Sequence, residues 1–277
     1  MRIIFFLLLF SLFSCKQKLT DKELRAHDIT GNWLVVYPDH DANNSHQKKV
    51  YGEIQDSVVS LMGLKLVHFD KGGEFRQMDS LEKGGQWKVT DDLFLRVENG
   101  GEGYSPFTAE FYQYKNDIME LVETIRYNGE SIQLKWKLKK LKGKEASLLF
   151  DDNQNTWRKR PVTPETDEQL KERLADMLDY YSRYYFLVDR ESSYFIPSRV
   201  MLPFKFYQHA IGLRPLTEKS NFMKLFYDST QAAQAHLILD IAMGKLRGRF
   251  PSDGESFIHE YASYMKLMGE EIRKMNQ

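Results

Sequence analysis

Cys15 is the only cysteine in this 277-residue chain, so no intramolecular disulfide can form and any thiol chemistry would fall to this one residue. Other residues able to do acid–base or metal chemistry are sparse. His236 and Asp240 stand four apart, a spacing that places both on one helical face, where they could share a proton or an ion. His259-Glu260 offers a second imidazole beside a carboxylate. The loop Asp39-His40-Asp41-Ala42-Asn43-Asn44-Ser45-His46 holds metal-competent side chains, but it lacks the Gly and Glu that a calcium loop requires at its sixth and twelfth positions. A surface i,i+4 pair and a solvated loop are the better readings of these stretches. Gly-x-Ser-x-Gly, His-Glu-x-x-His, the P-loop and the dinucleotide fingerprint are absent. The expectation is a protein that is not an enzyme, with no metal and no cofactor.

Aromatic side chains are the other candidates. Tyr180, Tyr181, Tyr184 and Tyr185 could stack on a sugar, but Tyr181 and Tyr185 fall on the apolar face of the helix that carries them, which favours packing. Trp87, Leu95, Phe111 and Trp136 fall on inner faces of strands. They either line a cavity for a small apolar ligand or fill it.

The elements that would position these residues divide the chain in two. From Ile29 to Leu141, short alternating segments are separated by turn residues, the pattern of antiparallel β-structure. Strands are expected at 31–37, 63–70, 73–79, 84–90, 92–98, 105–114, 117–126 and 130–141. Leu93, Leu95 and Val97 share one face, as do Ile132, Leu134, Trp136 and Leu138 opposite a lysine-rich face. Asp70-Lys71-Gly72-Gly73, Thr90-Asp91-Asp92, Lys115-Asn116-Asp117 and Asn128-Gly129 supply turn chemistry. Eight strands joined by hairpins suggest an up-and-down barrel, with another antiparallel barrel or a sandwich as the alternative. Residues 48–61 suit a short helix or a further strand equally.

After a linker at 142–162 the period becomes helical. Thr163-Pro164 opens one helix, carried by Leu170, Leu174, Met177, Leu178, Tyr181 and Tyr185. A Pro-punctuated connector at 196–215 follows, then a helix over about 221–246. Ser252-Asp253-Gly254-Glu255 is a capping box for a third. The fold class is therefore α+β: an N-terminal barrel at 29–141 and a helical domain of about three helices at 163–277. Lys plus Arg and Asp plus Glu each total 39, so clustered basic charge for nucleic acid is not expected.

Met1-Arg2 followed by the apolar run Ile3 to Phe13 is too short to span a bilayer and suits a secretory signal over residues 1–14. It ends in Leu12-Phe13-Ser14-Cys15, which resembles a bacterial lipoprotein lipobox. The resemblance implies cleavage before Cys15 and acylation of its thiol, with residues 15–28 as a polar tether. Two or more acyl chains make membrane attachment stable where one does not. By the same resemblance, the absence of Asp at position 16 implies the outer membrane, and the lack of an acidic stretch at Lys16-Gln17-Lys18 implies its periplasmic face.

Gly31-x-Trp33 at the head of the first strand, before a meander of about eight strands, resembles the lipocalin-like domains of secreted bacterial lipoproteins. The likeness covers residues 29–141. It implies that Gly31 and Trp33 close the barrel base and that a basic residue from a late strand, Arg126 or Lys137, stacks on the indole. The expected function is an envelope lipoprotein that binds a small apolar or amphipathic ligand in its barrel, with the helices covering one end. The alternative is a structural lipoprotein whose filled barrel carries a helical domain that binds another envelope protein. Replacement of Cys15→Ser is expected to shift the protein from the membrane pellet to the soluble fraction; unchanged pelleting on fractionation would contradict the anchor.

Overall fold

A computed structural model describes residues 19–39, 65–78, 82–99, 107–127, 129–191, 222–249 and 256–275. Cys15 and the signal segment, most of the 39–46 loop, residues 48–61, the 196–215 connector and the Ser252–Glu255 box lie outside them.

Eight antiparallel strands form a closed up-and-down barrel in sequence order: β1 (Gly31–Asp39), β2 (Lys65–Phe69), β3 (Glu74–Met78), β4 (Glu82–Val89), β5 (Phe94–Asn99), β6 (Phe107–Lys115), β7 (Ile118–Tyr127) and β8 (Glu130–Lys140). β1 pairs with both β2 and β8, so no strand edge is left open. The turns use the residues that the sequence marks. Gly73 (φ 89°), Gly129 (φ 84°) and the Asn116-Asp117 pair (φ 54° and 62°) adopt left-handed conformations, which suits the primed hairpin turn at Asn116-Asp117. Leu93 departs from expectation. It lies in the β4–β5 turn at φ 62°, and the strand begins one residue later.

Helix α1 (Asp21–Ile29) occupies most of the described part of the segment expected as a polar tether with at most a short helical piece. Thr20 and Glu23 form its capping box. Its last residue, Ile29, is fully buried and joins Trp33, Phe69, Trp87 and Leu95 in the barrel core. The Trp33 indole is fully buried and donates to the Ile29 carbonyl at 2.6 Å. Gly31 (φ 127°) makes the turn between them, where an added Cβ would come within 3.4 Å of the Lys140 stem.

The expected cation over Trp33 is corrected. Lys140 places its ammonium 5.1 Å from the Trp33 ring and 5.8 Å from Tyr114, and it donates to the Asp28 carbonyl at 3.2 Å. Arg126 pairs with Ser131 beside the β7–β8 hairpin, whereas Trp33 pairs with Lys140 at the far end of β8. Nine residues of strand separate those positions, roughly 30 Å. Arg126 is exposed, and Lys137 falls on the outer face, opposite in parity to the inward set that ends in Lys140.

The helical region holds α2 (Lys144–Leu149), a 3-10 turn at Thr156–Arg158, α3 (Asp167–Glu191), α4 (Ser229–Lys245) and α5 (Phe257–Lys274). α3 starts three residues later than Thr163-Pro164 suggests, because Thr166 and Gln169 form a reciprocal cap. Asp228 caps α4 and Ser256 caps α5. The four tyrosines at 180, 181, 184 and 185 are buried in the α3–α5 core, where Tyr185 meets Tyr261 edge-on at 5.5 Å. Arg273 of α5 binds Glu172, Asp176 and Asp179 of α3 at 2.7–3.0 Å.

These helices pack against the side wall of the barrel, not over an end. Leu34 of β1 and Leu66 of β2 point outward, are fully buried, and belong to the helical core beside Leu149, Phe150 and Leu170. Polar ties frame that contact: Asn32 to Ser147 at 3.0 Å, His68 to Asn32 at 2.8 Å, and Lys139 to the Glu191 carbonyl at 2.9 Å.

Trp33→Ala is expected to cost about 3–5 kcal/mol in urea unfolding, because it empties the base of the barrel and orphans the Ile29 carbonyl. Arg126→Ala should stay within about 0.5 kcal/mol of wild type. Equal losses would place the base elsewhere.

Candidate functional site

Among the described residues two hollows adjoin the barrel, one inside it and one against its outer wall, and a third, of about 380 Å³, lies between the 156–165 segment and the start of α3. The inner cavity is lined by apolar side chains, among them Val35, Val67, Phe75, Leu95, Leu121 and Trp136, with Gln77 as its polar exception. Its volume is about 60 Å³. That is room for about two waters and well below the roughly 300 Å³ at which small-molecule sites begin. The inward side chains of β1 to β8 therefore largely fill the barrel.

The four residues singled out for this cavity separate. Leu95 and Trp136 line it. Trp87 lies nearer the base, donating from Nε1 to the Asp70 carbonyl at 2.9 Å and meeting Phe69 edge-on at 5.5 Å. It braces the β2–β3 turn. Phe111 sits beside a bulge in β6, with the Arg25 guanidinium of α1 5.7 Å from its ring. Glu123 shares the inward parity of Met119 and Leu121, and it accepts the Trp136 indole N–H at 2.9 Å. Burial pushes its carboxyl above the ordinary glutamate value, and the Trp136 hydrogen bond only partly offsets this.

The histidines are held by packing. His236 stacks on Phe222 at 4.1 Å, and Asp240 is exposed one turn on. His259 Nδ1 lies 3.5 Å from Asp189, with Phe186 edge-on to its ring at 4.9 Å. Ser256 Oγ donates to the same aspartate and caps α5 by accepting the His259 backbone N–H. The serine is thus bonded to the carboxylate and not to the imidazole, so His259 cannot take its proton as a general base would. No group of three or more metal-competent side chains occurs among the described residues, and no described helix is long and apolar enough to cross a membrane.

The larger hollow is a cleft of about 560 Å³ between the outer wall of the barrel and the helical region. β3 and β4 contribute Glu74, Arg76 and Gly84, all of outward parity. The segment after α2 supplies Asp152, Asn155, Trp157, Arg158 and Lys159, and the turn before α4 supplies Lys224 and Leu225.

Local hydrogen bonds set these walls. Asn155 is almost wholly buried, and its amide donates to the carbonyls of Leu148 at 2.8 Å and Asp151 at 2.7 Å, closing the C-terminal end of α2. Arg76 donates to the Phe150 carbonyl at 2.7 Å and to Asp152 at 2.8 Å. Arg158 lies 4.0 Å from the same Asp152 oxygen, hydrogen-bonds to the Leu149 carbonyl, and stacks 4.5 Å from the Tyr180 ring. Arg160 clamps the carbonyls of Phe226 and Tyr227 at 3.0 and 2.7 Å, which fixes the turn carrying Lys224 and Leu225. Charge-assisted bonds of this kind contribute about 1.5–3 kcal/mol each.

This cleft is not visible in the sequence, because its residues come from three separated segments. Its one local signal is Trp157-Arg158-Lys159-Arg160, an aromatic and basic run inside what reads as a linker. No family model matches the chain, and no curated protein matches it in sequence.

Glu123→Gln should keep an acceptor for Trp136 while removing a buried ionisable group. With its folded value raised, Glu123 binds more protons in the folded than in the unfolded state, so wild type loses stability as pH rises past the ordinary 4.5. The variant is expected to be the more stable protein at pH 7, and the two should converge below pH 4.5. A gap independent of pH in denaturant melts would refute this.

Proposed function

We propose that this chain is a lipid-anchored envelope protein, tethered through Cys15 at the periplasmic face of the outer membrane, and that it acts as a binding module and not as an enzyme. Its small amphipathic ligand sits in the cleft between barrel and helices. The observation that carries this reading is volume: about 560 Å³ in the cleft against about 60 Å³ inside the barrel. The apolar ligand expected inside the barrel draws no support from a cavity of that size. The barrel serves instead as a rigid wall, and the helical region supplies the other side of the site. Trp157 and Leu225 give the cleft apolar surface, and Arg76, Lys159 and Lys224 give it polar ends.

A second reading, docking of another envelope protein on the helical half, draws on α4. Leu237 and Ile241 lie one turn apart on its outer face and are 60 % and 44 % exposed. That places large apolar side chains in solvent on a helix whose opposite face already packs into the core.

The dye anilinonaphthalene sulfonate, an amphipathic anion, separates these readings. Wild type is expected to bind it, and Gly84→Phe, which projects a ring into the cleft from a strand position where a Cβ meets only the Phe75 carbonyl at 3.9 Å, should weaken binding about tenfold or more. Val67→Ile, which takes up part of the barrel cavity, should leave binding unchanged. Loss with Val67→Ile would move the ligand into the barrel, and loss only with Leu237→Lys would favour the docking surface.

A further inference from the structure

We propose that the end of the barrel closed by α1 is a membrane-contacting surface, with Leu19 and Leu24 seated in the interfacial layer of the lipid bilayer. The inference rests on lipid modification of Cys15, and it adds to that anchor a fixed face and an orientation.

Leu19 and Leu24 flank the start of α1 at the positions of a hydrophobic staple, one residue before the Thr20 cap and four after it. A staple brings such a pair together, yet these leucines remain 55 % and 45 % exposed. Leu24 lies about 140° around the helix from Ile29, which enters the barrel core. One side of α1 thus closes the barrel, and the other carries apolar surface into solvent. Ile118, the first residue of β7, is 39 % exposed at the same end.

α1 is held to the barrel along its length. Lys22 pairs with Asp91 of the β4–β5 turn at 2.6 Å, the Arg25 guanidinium lies 5.7 Å from the Phe111 ring, and the Ile29 carbonyl accepts the Trp33 indole. The face that carries the leucines therefore moves with the barrel. Strand order and register put the turns at 70–73, 90–93 and 116–117 at this end, and the β7–β8 hairpin at the other.

Chain length says what covers this face. Three residues separate Cys15 from Leu19, so a fully extended tether reaches at most about 14 Å. A lipid-modified Cys15 lies at the level of the headgroups, and Leu19 is confined to that distance from it. A small folded domain is about 30 Å across, too thick to pass between this face and the leaflet. The apolar phase within reach is the bilayer. The tether makes the contact intramolecular, so two half-exposed leucines suffice to set an orientation where they would not hold a free protein on lipid.

Charge plays the lesser part. At this end Lys22 is matched with Asp91 and Lys142 with Asp117, and the first turn of α1 adds Asp21 and Glu23. Lys16 and Lys18 of the tether bring the whole end close to balance. With no marked cationic excess, apolar insertion carries the contact rather than attraction to anionic lipid.

The test uses the lipid-modified full chain reconstituted in vesicles of phosphatidylethanolamine and phosphatidylglycerol. The lipid occupies the Cys15 thiol, so His27→Cys and Arg126→Cys each offer a single site for a fluorophore, one beside Leu24 on α1 and one at the far end of the barrel. Brominated acyl chains are expected to quench the fluorophore at 27 and leave the one at 126 unchanged, because roughly 30 Å of strand separates the two ends. Leu19→Gln with Leu24→Gln should abolish most of the quenching at 27 without releasing the protein from the vesicles, and Leu19→Met with Leu24→Met should retain it. Equal signals at 27 and 126, or quenching at 27 that survives the glutamine pair, overturn the inference and leave the anchor intact. So does a disulfide between His27→Cys copies in place of quenching, which would assign the face to a second copy of the chain. A chain that carries no lipid mass and does not sediment with the vesicles overturns the anchor, and the inference with it.

Discussion

Over Trp33–Val35 strand β1 is buried on both faces, and the rest of the molecule is arranged around that constraint. It pairs with β2 on one side over Gly31–Val35 and with β8 on the other, within the closed barrel. Its side chains alternate, as any strand's must. Trp33 and Val35 go inward to the barrel core, and Leu34 goes outward. A fully buried leucine on the outside of a barrel requires a second layer, and the helical region is that layer. One strand thus belongs to two cores.

The two ends of β1 divide the labour. At its start, Gly31 turns the chain so that α1 lies under the barrel, with the Ile29 carbonyl against the Trp33 indole and Lys140 beneath both rings. This closes the base without occupying the interior. Along its length, Leu34 and its neighbour Leu66 seat α2 and the long helix α3 on the wall. With α2 held there, the segment that follows it runs past β3 and β4, and the cleft is the space left between two convex surfaces. The site is therefore a product of docking, and its charged floor doubles as the bracket that holds the two halves together: Arg76 belongs to the barrel, and its partners Phe150 and Asp152 belong to the helical side.

A filled barrel leaves the expected ligand inside it without support. The closing pair Gly31 and Trp33 occupies the base, but the inward aromatic and branched residues leave about 60 Å³. The barrel then acts as a stiff, edge-free support with a decorated outer face. Loops and clefts on rigid supports are where binding residues concentrate.

Much of this architecture was legible in the residues. Period-two alternation located all eight strands, and Asp70 to Gly73, Asn116-Asp117 and Asn128-Gly129 marked their turns, because these signals are local and set by backbone sterics. Helical periodicity placed α3, α4 and α5 for the same reason, though the Thr166 and Asp228 caps moved their starts. The cation under Trp33 was not legible, since parity admits several basic residues and only the closing register between β1 and β8 selects Lys140 over Arg126. Nor was the position of the helices legible. Leu34 and Leu66 read as ordinary strand residues until a second layer is seen to bury them. The cleft lay furthest from view: Arg76, Asp152, Lys159 and Lys224 come from segments up to about 150 positions apart, and each looks like a solvated surface charge in its own context. Sequence alone determined the elements and their inner faces, because those follow from short-range geometry. Tertiary packing alone decided which outer faces meet, and with them where the cleft between barrel and helices lies.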